Sequence, residues 1–151
     1  MEVRENMSGL IADLQHYYSD FAAVAGDPSL LDNLYDSDVI FCDPVHRVEG
    51  LPALKRYFAG MSGGLTSCRF EFDHSVISDG CACLPWYMHF THRQLKGGQA
   101  LSLRGCSLLR FGDRVYYHED FYDLGAMVYE QVPLLGSVVR GVKKRLGGAG
   151  S

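Results

Sequence analysis

The sequence has no long apolar run, no excess of positive charge and no cysteine framework, and each lack removes a class of function. No stretch approaches the ~18 apolar residues of a membrane-spanning helix. The polar start, Met1-Glu2-Val3-Arg4-Glu5-Asn6, has no apolar segment behind it, so a cleaved secretory leader is not expected. Lysine and arginine number 14 against 18 aspartates and glutamates, a formal net charge of −4. A mildly acidic chain lacks the positive surface that nucleic acid demands, and no nucleic-acid partner is expected. The five cysteines, Cys42, Cys68, Cys81, Cys83 and Cys106, are odd in number and include no Cys-x-x-Cys pair. Neither a disulfide framework nor a zinc ribbon follows from that spacing. The expectation is a cytoplasmic protein with reduced thiols, no metal and no cofactor. Cys81-x-Cys83 lacks further ligands and reads as two small buried residues.

What is there suits one globular domain. A chain of 151 residues, 47% apolar and 21% charged, buries about 70% of its extended surface on folding, enough for a core without staples. Leu10, Ile11, Leu14, Tyr17, Tyr18, Phe21 and Val24 recur at helical spacing after Ser8, a plausible N-cap, and Gly26 ends that helix. Asp27-Pro28 opens a second helix with Leu30, Leu31, Leu34 and Tyr35 on its apolar face. Val39–Asp43 is a short strand stopped by Pro44. After Gly50 a third helix carries Leu54, Tyr57, Phe58 and Met61.

From Ser67 the period changes to two. Cys68, Phe70, Phe72 and His74 mark one strand face, and Leu84, Trp86, Met88 and Phe90 mark the next. Leu101, Leu103, Leu109 and Phe111 define a third strand, and Gly112-Asp113-Arg114 turns into a fourth, Val115–Tyr122. The pattern predicts an α+β domain over residues 1–132, with three N-terminal helices on a strongly curved, mainly antiparallel sheet. Such a sheet and its cover enclose a cone able to hold a small molecule. Leu135, Val138, Val139, Val142 and Leu146 form the stripe of a C-terminal amphipathic helix over 133–146, followed by a flexible tail at 147–151. That helix has three readings: packing across the domain or a dimer partner, a membrane-surface helix, or a lid over the cone. Packing is preferred.

Two motifs resemble the nuclear transport factor 2-like superfamily, in its SnoaL-like and ketosteroid isomerase-like branch. One is Leu34-Tyr35-Asp36-Ser37-Asp38-Val39-Ile40-Phe41-Cys42-Asp43-Pro44-Val45 with the helix after Gly50. The other is Arg110-Phe111-Gly112-Asp113-Arg114-Val115, continued by His118-Glu119-Asp120-Phe121-Tyr122-Asp123. The resemblance spans about residues 8–130 and implies a cone-shaped α+β fold. It implies that Asp43 stands where the isomerases keep their general base, with Tyr17 or Tyr18 near the tyrosine that stabilises an oxyanion. Ser107 falls where that oxyanion hole has a protonated aspartate, a departure from the isomerase pattern; ketosteroid isomerase is the standard worked example of that neutral acid. Asp120 matches the acid–base aspartate of the epoxide hydrolases and cyclases. The hydrolases add an arginine and a second aspartate on the neighbouring strand, where this chain offers Arg104 and no aspartate.

Without the resemblance, Tyr116, His118, Asp120 and Tyr122 fall on one face of their strand at ~6.6 Å spacing, close enough for acid–base work. Alternation does not say whether this row or Tyr117, Glu119, Phe121 and Asp123 faces inward. The competing reading is a solvated row. Asp43 before Pro44 is also a turn signal, its carboxylate capping backbone amides. His46 is placed to reach it across the turn. The expected site is catalytic Asp120, His118 and Asp43, with Tyr17, Tyr18, Trp86, Met88, Phe90, Ser107 and Tyr122 holding a small apolar ligand. Two functions follow: a cofactor-independent isomerase, hydrolase or cyclase acting on a lipid-, polyketide- or steroid-like compound, or a non-catalytic ligand-binding or dimerisation module. A homodimer through the outer sheet face is expected in either case.

Overall fold

The computed structural model describes residues 2–127 and 133–148. Helix α1 (Glu2–Ser19) and the short α2 (Phe21–Val24) lead to a 3-10 turn over Pro28–Asn33. Strands β1 (Tyr35–Cys42) and β2 (Arg47–Glu49) precede α3 (Leu51–Ser62). Then follow β3 (Leu65–Phe72), β4 (Val76–Ser78), β5 (Cys81–His92), β6 (Leu101–Phe111) and β7 (Val115–Tyr122). Two helices close the described chain, α4 (Leu124–Met127) and α5 (Pro133–Gly148).

The strands form one sheet in the order β2-β1-β7-β6-β5-β3, with β4 also on β5. Every pairing is antiparallel except β1 with β7. Strand β5 pairs with β3 through residues 86–92 and with β4 through 81–83. Pro85 sits at the break, where its missing N–H leaves no ladder partner wanting and its carbonyl accepts from Asp73 N at 2.9 Å. Register shifts in three ladders curve the sheet around the helices.

The inward row holds Ala82, Leu84, Trp86, Met88 and Phe90 of β5 and Leu103, Leu109 and Phe111 of β6, all buried. They meet Leu10, Ile11 and Leu14 of α1, Phe21 of α2, and Leu54 and Phe58 of α3 in one core. Burying a side chain of this size contributes roughly 1.5–3 kcal/mol each, so this layer contact dominates the stability of the cone.

Several local expectations change. Helix α1 starts at Glu2, so Ser8 lies inside it rather than capping it. The segment after Asp27 is a 3-10 turn; the Asp27 carboxylate does cap it, on Ser29 N at 3.1 Å. Tyr35 belongs to β1 instead of a helix face, because pairing with β7 extends that strand back to it. Alternation along β7 is also broken. The β6–β7 register shifts between Arg110/Tyr117 and Phe111/Val115, so Tyr116 is the extra residue and points out, 47% exposed, away from His118 and Asp120.

Helix α5 runs through Gly147 and Gly148, two residues assigned above to the tail; 149–151 lie outside the described residues. It meets α4's neighbourhood through the ion pair of Lys143 with Asp123. Within the stripe Val139 is half-buried and lies near Gly125, while Val138, Val142 and Leu146 remain 51–71% exposed. Among the described residues no helix is long and apolar enough to cross a membrane.

Candidate functional site

The inward face and the helices enclose a cavity of about 250 Å³. Its apolar wall comes from Phe21, Phe41, Phe58, Phe70, Trp86, Met88 and Phe90, with Tyr18 from α1 and Met61 from α3. Its polar residues include Asp43, Asp120, Tyr122 and His92. Asp43 follows β1 and Asp120 lies on β7, which pairs with β1 in parallel, so one ladder brings both carboxyl groups to the same cavity.

Asp120 terminates two runs of hydrogen bonds. On one side Tyr18 Oη lies 2.7 Å from Tyr35 Oη, Tyr35 Oη 2.8 Å from His118 Nδ1, and His118 Nε2 2.7 Å from Asp120 Oδ1. On the other, the Trp86 indole donates to Ser107 Oγ at 2.9 Å, and the Ser107 hydroxyl donates to Asp120 Oδ1 at 2.5 Å. One assignment of protons satisfies every member. Tyr18 donates to Tyr35, Tyr35 to Nδ1, and a neutral imidazole donates from Nε2 to the carboxylate. Burial pushes the phenols of Tyr18 and Tyr35 well above their ordinary range, which keeps both as donors. Donors to an ionised carboxylate make the stronger class of hydrogen bond, so Asp120 is held by two good ones.

Asp43 combines the two roles open to it. Its Oδ1 accepts from Val45 N and His46 N at 2.8 Å each, capping the turn. Its Oδ2 accepts the Tyr57 hydroxyl. The His46 ring does not reach the carboxylate; it packs on the ring of Tyr57 at 5.0 Å. Burial raises the phenol of Tyr57 first, and the hydrogen bond to Asp43 raises it further. Tyr122 is raised by burial and then by Asp43 and Asp120. Both phenols therefore remain protonated donors beside two carboxyl groups.

Of the residues expected in the site, Asp43, Asp120, Tyr18, Trp86, Met88, Phe90 and Tyr122 line the cavity. Three do not. His118 is 1% exposed and stands behind Asp120, so it reaches the cavity only through that carboxylate. Ser107 is buried between Trp86 and Asp120 and positions them. Tyr17 packs its ring against Phe21 and Phe58, outside the lining, and its buried hydroxyl has no hydrogen-bond partner among the described residues. One residue step along a helix rotates the side chain by about 100°, which is why only Tyr18 of the pair points inward. Arg104, the hydrolase-like arginine, lies on the outer face over the Tyr87 ring and on Asp73 at 3.2 Å.

Two residues of the network lie outside the expected site: Tyr35 falls on an expected helix face, and Tyr57 in the apolar stripe of α3. The available signal for Tyr35 was the β-rich run after it; for Tyr57, its place at the edge of the α3 stripe. All five cysteines are free thiols, with Cys83 and Cys106 in contact on the outer face, Sγ to Sγ 3.0 Å. No three His, Cys, Asp or Glu side chains among the described residues are grouped to hold a metal ion.

Among solved structures the chain is similar to a candidate SnoaL-like polyketide cyclase from Shewanella putrefaciens, with 17% identity, 85% of this chain and 96% of that one covered, and a TM-score of 0.69. It is also similar to an NTF2-like protein of unknown function from Burkholderia pseudomallei, with 16% identity, 82% and 95% covered, and a TM-score of 0.68. A protein with a ketosteroid isomerase-like fold from Catenulispora acidiphila, in complex with trimethylamine, gives 16% identity, 76% and 89% covered, and a TM-score of 0.64. Identities this low carry the fold and nothing finer. No curated protein matches the chain. A family model describing a SnoaL-like domain matches residues 14–118, most of the chain and nearly all of the cone. The chain belongs to the family of SnoaL-like domains, and its fold is that of the nuclear transport factor 2-like proteins.

Proposed function

We propose that the protein binds a small, mostly apolar compound in its cone and transforms it by general acid–base proton transfer, in the manner of an isomerase or cyclase. The observation that carries this reading is the convergence of Asp43 and Asp120 on one apolar cavity. A solvated row or a turn cap alone would need neither there. Asp120 is the group that exchanges a proton with the ligand, since both its hydrogen bonds fall on Oδ1. His118 is a positioning residue that holds its orientation. Tyr122 supplies a hydroxyl donor at the same end, where a developing negative charge on substrate oxygen would be stabilised, while the Tyr57 hydroxyl is spent on orienting Asp43. Epoxide opening is the weakest of the three family chemistries, because Arg104 points away from the cone and β6 has no aspartate.

The second reading is a module that shelters a ligand without transforming it. The apolar wall of Trp86, Met88 and Phe90 serves it equally well. In both readings the outer sheet face, with Tyr87 44% and Phe121 51% exposed, is the surface of a homodimer.

The binding half is tested by extracting the purified protein and identifying any retained compound by mass spectrometry. Apolar probes are then titrated while following Trp86, the single tryptophan of the chain. A retained apolar compound, or saturable change in Trp86 emission, supports the reading. A protein that retains nothing and responds to no probe overturns it.

A further inference from the structure

The cavity lining includes two carboxyl groups, Asp43 and Asp120, and neither lysine nor arginine. Its one imidazole, His92, stands at the end of β5 remote from Leu84, the residue in register with Ser107 and Asp120. The nearest imidazole at the acidic end, His118, is buried behind Asp120 with both nitrogens committed. A ligand bearing a carboxylate or phosphate would therefore enter facing Asp43 and Asp120 with no counter-charge in reach. Burial raises the Tyr122 hydroxyl first, and Asp43 and Asp120 raise it further.

The rest of the wall suits a cation. Tyr18, Phe41, Phe58, Phe70, Trp86 and Tyr122 present aromatic rings around a space of about 250 Å³. Ring faces attract ammonium groups electrostatically, most strongly where water is excluded. Carboxylates behind such rings provide the full opposite charge. A volume under the usual ~300–1,000 Å³ of ligand sites limits the occupant to about one ring or a short branched chain.

We infer that the ligand is a compact apolar cation, an amine protonated at neutral pH or a quaternary ammonium, with its nitrogen between Asp43 and Asp120 and its body against Trp86 and Phe70. This rests on the same cavity being the binding site, as proposed above, and adds the charge class of what it binds. A positive nitrogen also fits the acid–base reading, since it makes protons on the adjoining carbon easier to remove.

The test uses the full chain and the emission of Trp86. Three probes of similar shape are titrated: benzyltrimethylammonium, its uncharged carbon isostere neopentylbenzene, and phenylacetate. The expected result is that the ammonium binds at least ten-fold more tightly than neopentylbenzene, with phenylacetate weakest. Asp43→Asn and Asp120→Asn should each weaken the ammonium several-fold and leave neopentylbenzene unchanged. The wild-type ratio stands without the variants should either fail to fold. Neopentylbenzene or phenylacetate binding as tightly as the ammonium overturns the inference and leaves the cavity reading intact. No binding by any of the three overturns both.

Discussion

His118 Nε2 sits 2.7 Å from Asp120 Oδ1, on the same oxygen that takes the Ser107 hydroxyl. Both supports load one oxygen, so Oδ2 is left to the cavity, without a hydrogen bond among the described residues. In the function proposed above, a carboxylate held on one side and open on the other exchanges its proton at the open side. The Tyr18–Tyr35–His118 run fixes the imidazole, and the Trp86–Ser107 run fixes the other support, so the orientation is set by core residues on five different elements.

That shared oxygen predicts non-additivity. Ser107→Ala removes one donor to Asp120 and leaves the buried Trp86 indole unpaired, a loss of about 1–3 kcal/mol. His118→Phe removes the second donor to Asp120 and the acceptor of the Tyr35 hydroxyl, which keeps only Tyr18 as a partner, at a similar cost. Because the two supports act on one atom, the double variant should differ from the sum of the singles by about 0.5–3 kcal/mol. Urea denaturation of the four proteins measures it. Strict additivity would mean the two runs do not share Asp120.

Gly105 is the position where the support depends on a missing side chain. A Cβ there would lie 2.1 Å from the Trp86 ring, which crosses that point of β6. Gly105→Ala must push the indole away from Ser107. We expect a loss of about 1–3 kcal/mol from overpacking and a red shift of tryptophan emission. An unshifted spectrum with unchanged melting temperature would show that Trp86 does not occupy this place.

The buried phenols set a limit at high pH. Tyr18 and Tyr35 have folded-state pKa values raised by burial. Below pH ~10 both the folded and unfolded chains hold these protons, and the stability is fully present. Above it the unfolded chain releases them while the folded one retains them. Stability then falls by about 1.4 kcal/mol per pH unit for each such group. Absorbance at 295 nm against pH should show these tyrosines ionising only together with loss of near-ultraviolet circular dichroism. Complete ionisation in a folded protein would contradict the burial.

The dimer proposed above predicts twice the chain mass by analytical ultracentrifugation at micromolar concentration. Phe121→Glu, on the outer face, should yield monomers that keep the fold, since Phe121 is half exposed in the single chain. A wild-type monomer at that concentration contradicts the proposal.

Legibility in the sequence followed the periodicity. The β5 row of Leu84, Trp86, Met88 and Phe90 could be read because alternation runs unbroken through a buried strand. The α3 stripe could be read for the same reason. The pair His118 and Asp120 was recognisable as sharing a face, but not that the first supports the second from behind. That depends on Tyr35, whose place in β1 is decided by pairing with β7, 80 residues later in the chain at Val115. The outward turn of Tyr116 is not legible in the sequence, because a bulge leaves no trace in alternation until the partner strand is known. Whether Arg104 points in or out is likewise fixed by its neighbour: with Leu103 buried, Arg104 must face outward.

The central claim of the proposed function is that Asp120, with Asp43 at the same end of the cavity, moves protons on a bound apolar compound. It is tested most directly by deuterium exchange at the carbon next to the carbonyl in a panel of small ketones, with and without a tertiary amine, followed by proton NMR in heavy water. The account predicts saturable exchange well above the buffer rate for at least one ketone. It also predicts a fall of about 10²–10⁴-fold in Asp120→Asn, with Trp86 emission still reporting ligand binding. Exchange at the buffer rate across the whole panel, or an Asp120→Asn protein as active as wild type, would contradict it.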